Sequence, residues 1–336
     1  MIKKNLKILK SNNIYAGVIG SGIGIKHLEA IDSHKKSNVV IICEKNQKKI
    51  NFLRKKFPNK VITKNENEIF LNDKINLVSI ASYDNDHYDQ ILKCIKFKKN
   101  FIVEKPMCLN LWQLRNINRL LVKSKLKMTS NLVLRTNSLF KNFRKLIDKK
   151  KVFYIEGDYI WGRKEKLSQW RAKVKDYSLT LGAGIHMIDL IIWFLRELPK
   201  SVTTFSNNNA TKNSKFKKQS FAIYIFEFSN NVLVKITANL AAVYNHIHEI
   251  KIFQTNKTIT NNLNGSFKIG KNKIINKIKK EYPDKKNRKQ LIIDFVESIL
   301  TNRKHMLSIK EQINLMIVCF AADESLKKKK KITIKY

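Results

Sequence analysis

The chain has 336 residues, 43% of them hydrophobic, more than one typical domain uses and enough for two cores. No run of about 18 apolar residues occurs and no signal-type apolar stretch follows the basic opening MIKKNLKILK, so a cytoplasmic protein with no membrane partner is expected. The formal net charge is +41, but the lysines are spread over every segment and no helix-turn-helix, RNP or zinc-finger pattern is present, which argues against a specific nucleic-acid partner. The charge reads first as a compositional bias, and second as a field that speeds the approach of a phosphate-bearing cofactor or nucleotide-sugar. Cys43, Cys94, Cys108 and Cys319 lie far apart with no CxxC pair, which points to reduced thiols rather than a disulfide framework or a zinc knuckle.

The first third alternates short β-branched runs with amphipathic stretches. Strands are predicted at Ile14–Ile19, Val39–Cys43, Leu77–Ala81 and Phe101–Val103. Between them, Ile25–Ser33, Gln47–Phe57 and Asp86–Phe97 carry apolar residues three and four apart, as crossover helices do. From about Asn131 the strands become longer and more widely separated, at Val152–Trp161, Ser220–Phe228 and Val232–Leu240, with one helix at Ile185–Leu195. Ser206–Gln219 and Thr255–Gly265 are rich in Asn, Lys, Ser and Thr and read as loops or hairpin tips. Ser308 and Glu311 form a capping box before a final helix, and KKKKKITIKY closes the chain as a basic turn and short strand.

Gly20-Ser21-Gly22-Ile23-Gly24 follows the first strand and opens the first helix. Glycines there permit positive φ and let backbone N–H groups approach a pyrophosphate at a helix N-terminus. The third glycine comes one residue earlier than GxGxxG spacing requires. Glu44, 24 residues after Gly20 at the end of the second strand, is placed to accept from adenosine ribose hydroxyls. An acid there repels a 2′-phosphate and favours NAD, while Lys45, Lys48 and Lys49 keep NADP possible. The expected fold is an α/β N-terminal Rossmann domain with a parallel sheet (1–128), followed by an α+β C-terminal domain with a mostly antiparallel open sheet (129–336).

Phe101-Ile102-Val103-Glu104-Lys105-Pro106, a strand ending in EKP, together with the glycine turn resembles the Gfo/Idh/MocA oxidoreductases. Ala81–His87, the NxxxR spacing of Asn131–Arg135, Trp170-Arg171, Gly182–Asp189 and the closing CFAADESLKKKKKITI extend the resemblance over nearly the whole chain. It implies an NAD(P)-dependent dehydrogenase acting on a secondary alcohol of a sugar, inositol or nucleotide-sugar, and a homo-oligomer built on the C-terminal sheet. It implies further that Gly20, Gly22, Ile23, Gly24, Glu44, Ser82, His87, Glu104 and Lys105 line the cofactor, with Lys105 beside the substrate hydroxyl.

Removing the hydroxyl proton suits a histidine titrating near neutrality, and His186 at the start of an apolar helix fits. Asp189, three residues on, shares its helix face and either orients the imidazole or binds a substrate hydroxyl. Trp170 and Arg171 read either as a sugar-stacking and anion-reading pair or as packing residues. Asn131 reads either as a cleft residue or as a structural hydrogen bonder. The resemblance places an Asp four residues before His186, where this chain has Gly182; this departure keeps a non-catalytic dinucleotide-binding sensor or scaffold open as the alternative. Substrate specificity is expected to lie in the loops at Lys164–Tyr177 and Ser206–Gln219. His246 and His248 alternate on a strand, but too few further ligands accompany them for a metal, so none is expected.

Overall fold

A computed structural model of the chain describes residues 13–174 and 177–336. The basic opening decapeptide, and residues 175 and 176 of the expected specificity loop, lie outside the described residues. Helices are α1 (Gly24–Asp32), α2 (Gln47–Lys56), α3 (Asn67–Phe70), α4 (His87–Lys96) and α5 (Leu111–Val122), then α6 (Ser138–Leu146), α7 (Trp170–Lys173), α8 (Ile185–Leu195), α9 (Gln290–Leu300) and α10 (Ile309–Lys328).

Two compact units interleave along the chain. The first takes residues up to Glu104 with Arg119–Thr129 and Lys289–Ser308; the second takes Lys105–Asn118, Ser130–Arg288 and Ile309–Tyr336. The chain thus crosses between the units more than once. One crossing does fall where the periodicity changes, at Thr129 and Ser130, but the return of 289–308 to the first unit leaves no mark in local periodicity.

The first unit holds a sheet of β1 (Ile14–Ile19), β2 (Ser37–Cys43), β3 (Val61–Thr63), β4 (Leu77–Ile80), β5 (Asn100–Val103) and β6 (Met128–Ser130), in the order β3-β2-β1-β4-β5-β6. The pairs β1–β2, β1–β4, β2–β3 and β4–β5 run parallel. This is the expected Rossmann arrangement. A parallel sheet covered on both faces demands unbroken apolar strands, and β4 is buried at every position. Its core joins Ile14, Ala16, Val18, Leu28, Ile42, Leu77 and Ile102 to Ile292, Phe295 and Val296 of α9.

The second unit holds β7 (Val152–Ile160), β8 (Ser201–Asn207), β9 (Phe221–Glu227), β10 (Leu233–Asn239), β11 (Ile247–Gln254), β12 (Lys257–Asn262), β13 (Gly265–Gly270), β14 (Ile275–Lys277) and β15 (Ile332–Thr333). Their order is β14-β13-β12-β11-β7-β10-β9-β8-β15. Only β7–β10 pairs in parallel, so the sheet is mostly antiparallel as expected. The reading of Thr255–Gly265 as loop is corrected: β12 runs through it, because Ile259 and its neighbours pair on both edges despite their polar sequence.

One face of this sheet is buried through Ala222, Tyr224 and Phe226 of β9 and Val234, Ile236 and Ala238 of β10. Here α8 lies close against β7: a Cβ on Gly157 would come within 2.9 Å of Met187 Cε. The alternating positions, such as Ile223, Ile225, Lys235 and Thr237, stay half-buried.

Candidate active site

In the first unit the expected cofactor residues gather at the carboxyl ends of β1, β2, β4 and β5, where strand order reverses between β1's two neighbours. Open α/β sheets bind ligands at that kind of point. Gly20 has φ +87°, and a Cβ on it would meet the Ala81 carbonyl oxygen at 2.4 Å, so no larger residue fits. A Cβ on Gly22 would meet nothing within 4 Å, which is the clearance a pyrophosphate needs. Gly24 would place a Cβ 2.9 Å from Val18 Cγ1. It therefore performs the close helix-to-strand packing of the third glycine, one residue early because α1 begins at that residue. Ile23 is exposed beside it.

Glu44 points its carboxylate at this turn. It accepts from the Ser21 backbone N–H at 3.1 Å, the Asn46 N–H at 2.9 Å and the Ser21 hydroxyl. Burial acts to raise its pKa, but these bonds, with Lys49 nearby, hold it below the ordinary carboxylate value. An ionised acceptor thus stands beside the glycine turn, and the residues fit a dinucleotide. Glu44→Ala is expected to weaken NAD binding about tenfold to hundredfold through lost charge-assisted hydrogen bonds. Titration of NAD by calorimetry checks this, and an unchanged Kd rules out a role at the ribose.

Ser82 and His87 divide. Ser82 Oγ donates to Gln90 Oε1 at 2.6 Å at the end of β4. His87 is wholly buried with Nε2 3.3 Å from the Ser82 carbonyl, so it ties the 82–87 loop from within. Glu104 accepts from His27 Nε2 at 2.9 Å, and His27 Nδ1 meets Ser79 Oγ at 2.7 Å. His27 was missed by sequence reasoning, although its place three residues after Gly24, on the buried face of α1, was the available signal.

The second unit brings together Lys105 and His186. Lys105 Nζ donates to the Gly182 carbonyl at 3.0 Å. His186, half-buried in the first turn of α8, stacks on Tyr159 with centroids 5.6 Å apart and planes 11° from parallel. His246 and His248 complete the cluster: their rings lie 5.2 Å apart, and His248 is 6.4 Å from His186. Tyr282 Oη accepts from the His248 N–H at 2.7 Å and meets its Nδ1 at 2.6 Å, while His246 Nδ1 donates to the Ile160 carbonyl at 3.0 Å. Among the described residues no group of three His, Cys, Asp or Glu is placed to hold a metal.

Burial, then the Lys105 charge, pushes the His186 imidazole well below its usual value. His248 is pushed down to about 3 by burial and by His246 and Arg288. Burial and the cationic neighbours thus both act against the imidazolium form in this cluster, which moves it away from the titration near neutrality that the sequence suggests.

Asp189 is buried, and its carboxylate takes three hydrogen bonds from Arg135, at 3.1, 3.1 and 2.7 Å. Arg135 Nη1 also reaches Glu311 at 2.7 Å. The NxxxR arginine and Asp189 thus lock α8 to the segment after β6. The Arg171 guanidinium lies over both Trp170, at 4.4 Å, and Trp161, at 4.9 Å. Arg171 also acts electrostatically on Tyr159, beneath His186. Asn131 is buried just beyond β6.

A strand–glycine–helix turn with an acid at the next strand end defines a dinucleotide-binding protein, here carrying a second unit with a lysine and a histidine cluster. Residues 14–132 match the family description "Oxidoreductase family, NAD-binding Rossmann fold", and residues 140–260 match the GFO/IDH/MocA C-terminal domain. The chain belongs to the Gfo/Idh/MocA oxidoreductase family.

Among solved structures, myo-inositol 2-dehydrogenase from Lactobacillus plantarum superposes with TM-score 0.83 at 15% identity, covering 96% of this chain and 100% of that one. Scyllo-inositol dehydrogenase from Lactobacillus casei, with bound NAD(H) and scyllo-inositol, gives 0.80 at 17%, covering 96% and 99%. UDP-N-acetylglucosamine 3-dehydrogenase from Acidithiobacillus ferrooxidans gives 0.80 at 14%, covering 94% and 98%. These likenesses establish the shared fold. No curated protein matches by sequence.

Proposed function

We propose that this protein is an NAD(P)-dependent dehydrogenase that moves a hydride between nicotinamide and a secondary alcohol carbon of a sugar, inositol or nucleotide-sugar. The reading is carried by one observation: Lys105, from the EKP strand end, donates to the carbonyl of Gly182 at 3.0 Å, which brings it to the segment that carries His186 four residues further on. The solved neighbours named for inositols and a UDP-sugar support the substrate class. The bound nicotinamide supplies the hydride acceptor or donor. Lys105 stabilises negative charge on the reacting oxygen, and His186 offers that oxygen a hydrogen-bond partner. Trp170, Arg171 and Asn131 are assigned to substrate recognition.

A second reading, a dinucleotide-binding sensor without turnover, draws support from Gly182, which brings no carboxylate to the site. NADH formation followed by absorbance, over a panel of inositols, sugars and nucleotide-sugars, separates the two. Turnover that falls with His186→Ala supports the dehydrogenase, whereas tight NAD binding with no turnover on any panel member favours the sensor.

We also assign a cytoplasmic homo-oligomer. The open sheet face carries Phe205, 63% exposed, and Leu233, 46% exposed, beside half-buried Ile223 and Ile225. All four cysteines are buried and free, and no helix of the described residues is long and apolar enough to cross a membrane. Ile225→Glu is expected to reduce the mass measured by light scattering to that of one chain; an unchanged mass would assign assembly to another surface.

A further inference from the structure

Oxidising an alcohol requires a place for its hydroxyl proton, and the groups described so far give a poor one. His186 is enclosed among cations that disfavour an imidazolium. Asp189 is committed to Arg135. Gly182, whose carbonyl accepts from Lys105, has no side chain to offer.

The space beside Gly182 is nevertheless filled. A Cβ built on it would lie 2.1 Å from Tyr177 Oη and 2.6 Å from Tyr177 Cζ, so the phenol occupies the volume that a side chain at 182 would take. Lys105 Nζ lies 3.0 Å from the carbonyl oxygen of that same residue. Bond lengths within one residue then bring the phenol oxygen and the ammonium within about 9 Å of each other, both against Gly182. The Tyr177 ring is braced edge-on by Phe216, fully buried, at 5.4 Å. Tyr177 also acts on Tyr159, the ring stacked beneath His186. Further titratable groups near it among the described residues are Tyr224, which it also affects, and Asp323, which accepts from the adjoining Ser178 hydroxyl at 2.7 Å.

We propose that Tyr177 is the acid–base residue of this site, its phenol standing in the place left by Gly182. The assignment rests on the dehydrogenase reading. In the reducing direction the phenol O–H bond breaks and its proton goes to the substrate carbonyl oxygen. The carbonyl carbon receives a hydride from reduced nicotinamide dinucleotide, and the C=O becomes a C–OH. The phenolate left behind is stabilised by the Lys105 ammonium and regains a proton from solvent. In oxidation the same steps run backwards, with the phenolate taking the hydroxyl proton as hydride leaves the carbon.

The test uses the full chain with its dinucleotide and the best substrate of the panel, with kcat and KM measured across pH. Tyr177→Phe is expected to lower kcat about 10²–10⁴-fold, as loss of a general acid–base does, with NAD affinity unchanged and one limb of the pH profile abolished. Gly182→Ala, whose methyl evicts the phenol oxygen, reproduces both effects, and the double variant is no worse than either alone. Tyr177→Ala with Gly182→Asp, which returns a carboxylate to the vacated volume, recovers rate with the limb displaced to lower pH. Circular dichroism and thermal unfolding establish that each variant is folded. A folded Tyr177→Phe that keeps the wild-type kcat and pH profile overturns the assignment to Tyr177 alone. Wild-type protein without turnover on any panel member overturns the dehydrogenase reading and the Tyr177 role with it.

Discussion

Lys105→Ala is expected to lower kcat about 10²–10⁴-fold and to weaken NAD binding far less, because its ammonium acts chiefly on the reacting oxygen. Position explains the size of the effect. Lys105 comes two residues after β5, and its Nζ is anchored on the Gly182 carbonyl in the turn before α8. An ammonium has three donors, of which this carbonyl takes one. Arginine carries the same charge in a planar fork of different reach, so Lys105→Arg is expected to restore little activity. Steady-state rates with the best panel substrate, paired with NAD titration by fluorescence, check the split. An alanine variant with near-normal kcat would remove Lys105 from the chemistry.

The second large effect is on stability. Arg135 and Asp189 side chains are only 3% and 2% exposed, and Arg135→Met removes the guanidinium while leaving the carboxylate buried. Breaking such a pair from one side costs about 3–5 kcal/mol, a fall in Tm of roughly 10 °C for a chain this size. The pH dependence fixes the cause. Burial raises the Asp189 pKa, and without Arg135 nothing in the pair opposes it. A group whose folded pKa exceeds its unfolded one contributes stability below the unfolded value and loses it as pH rises through the folded value. The variant should therefore regain stability relative to wild type on acidification. Equal melting temperatures at pH 7 would show that the pair contributes nothing.

Most of the first unit was legible because its signals are local. The alternation of β1, α1, β2 and α2 is written in residue periodicity, and the glycine turn and Glu44 stand at fixed distances along it. The ion pair of Asp189 was not legible, for the complementary reason. Its three-residue offset from His186 is a local fact, but its partner Arg135 comes from another segment, and a buried guanidinium outweighs the helix-face argument. The direction in which His186's ionisation is shifted was not legible, since its surroundings of Tyr159, His246 and His248 exist only after folding. Tyr177 could not have been singled out from sequence, because only a missing side chain five residues later gives its hydroxyl a place.

The return of α9 to the first unit bears on how the chain is made. Phe295 and Val296 pack into the same core as Ile14 and Leu28. A growing polypeptide emerging from the ribosome must therefore hold the apolar side of α1 without its final cover until α9 has been synthesised. A gene fragment ending at the change of periodicity would leave that core incomplete, with apolar side chains exposed to water.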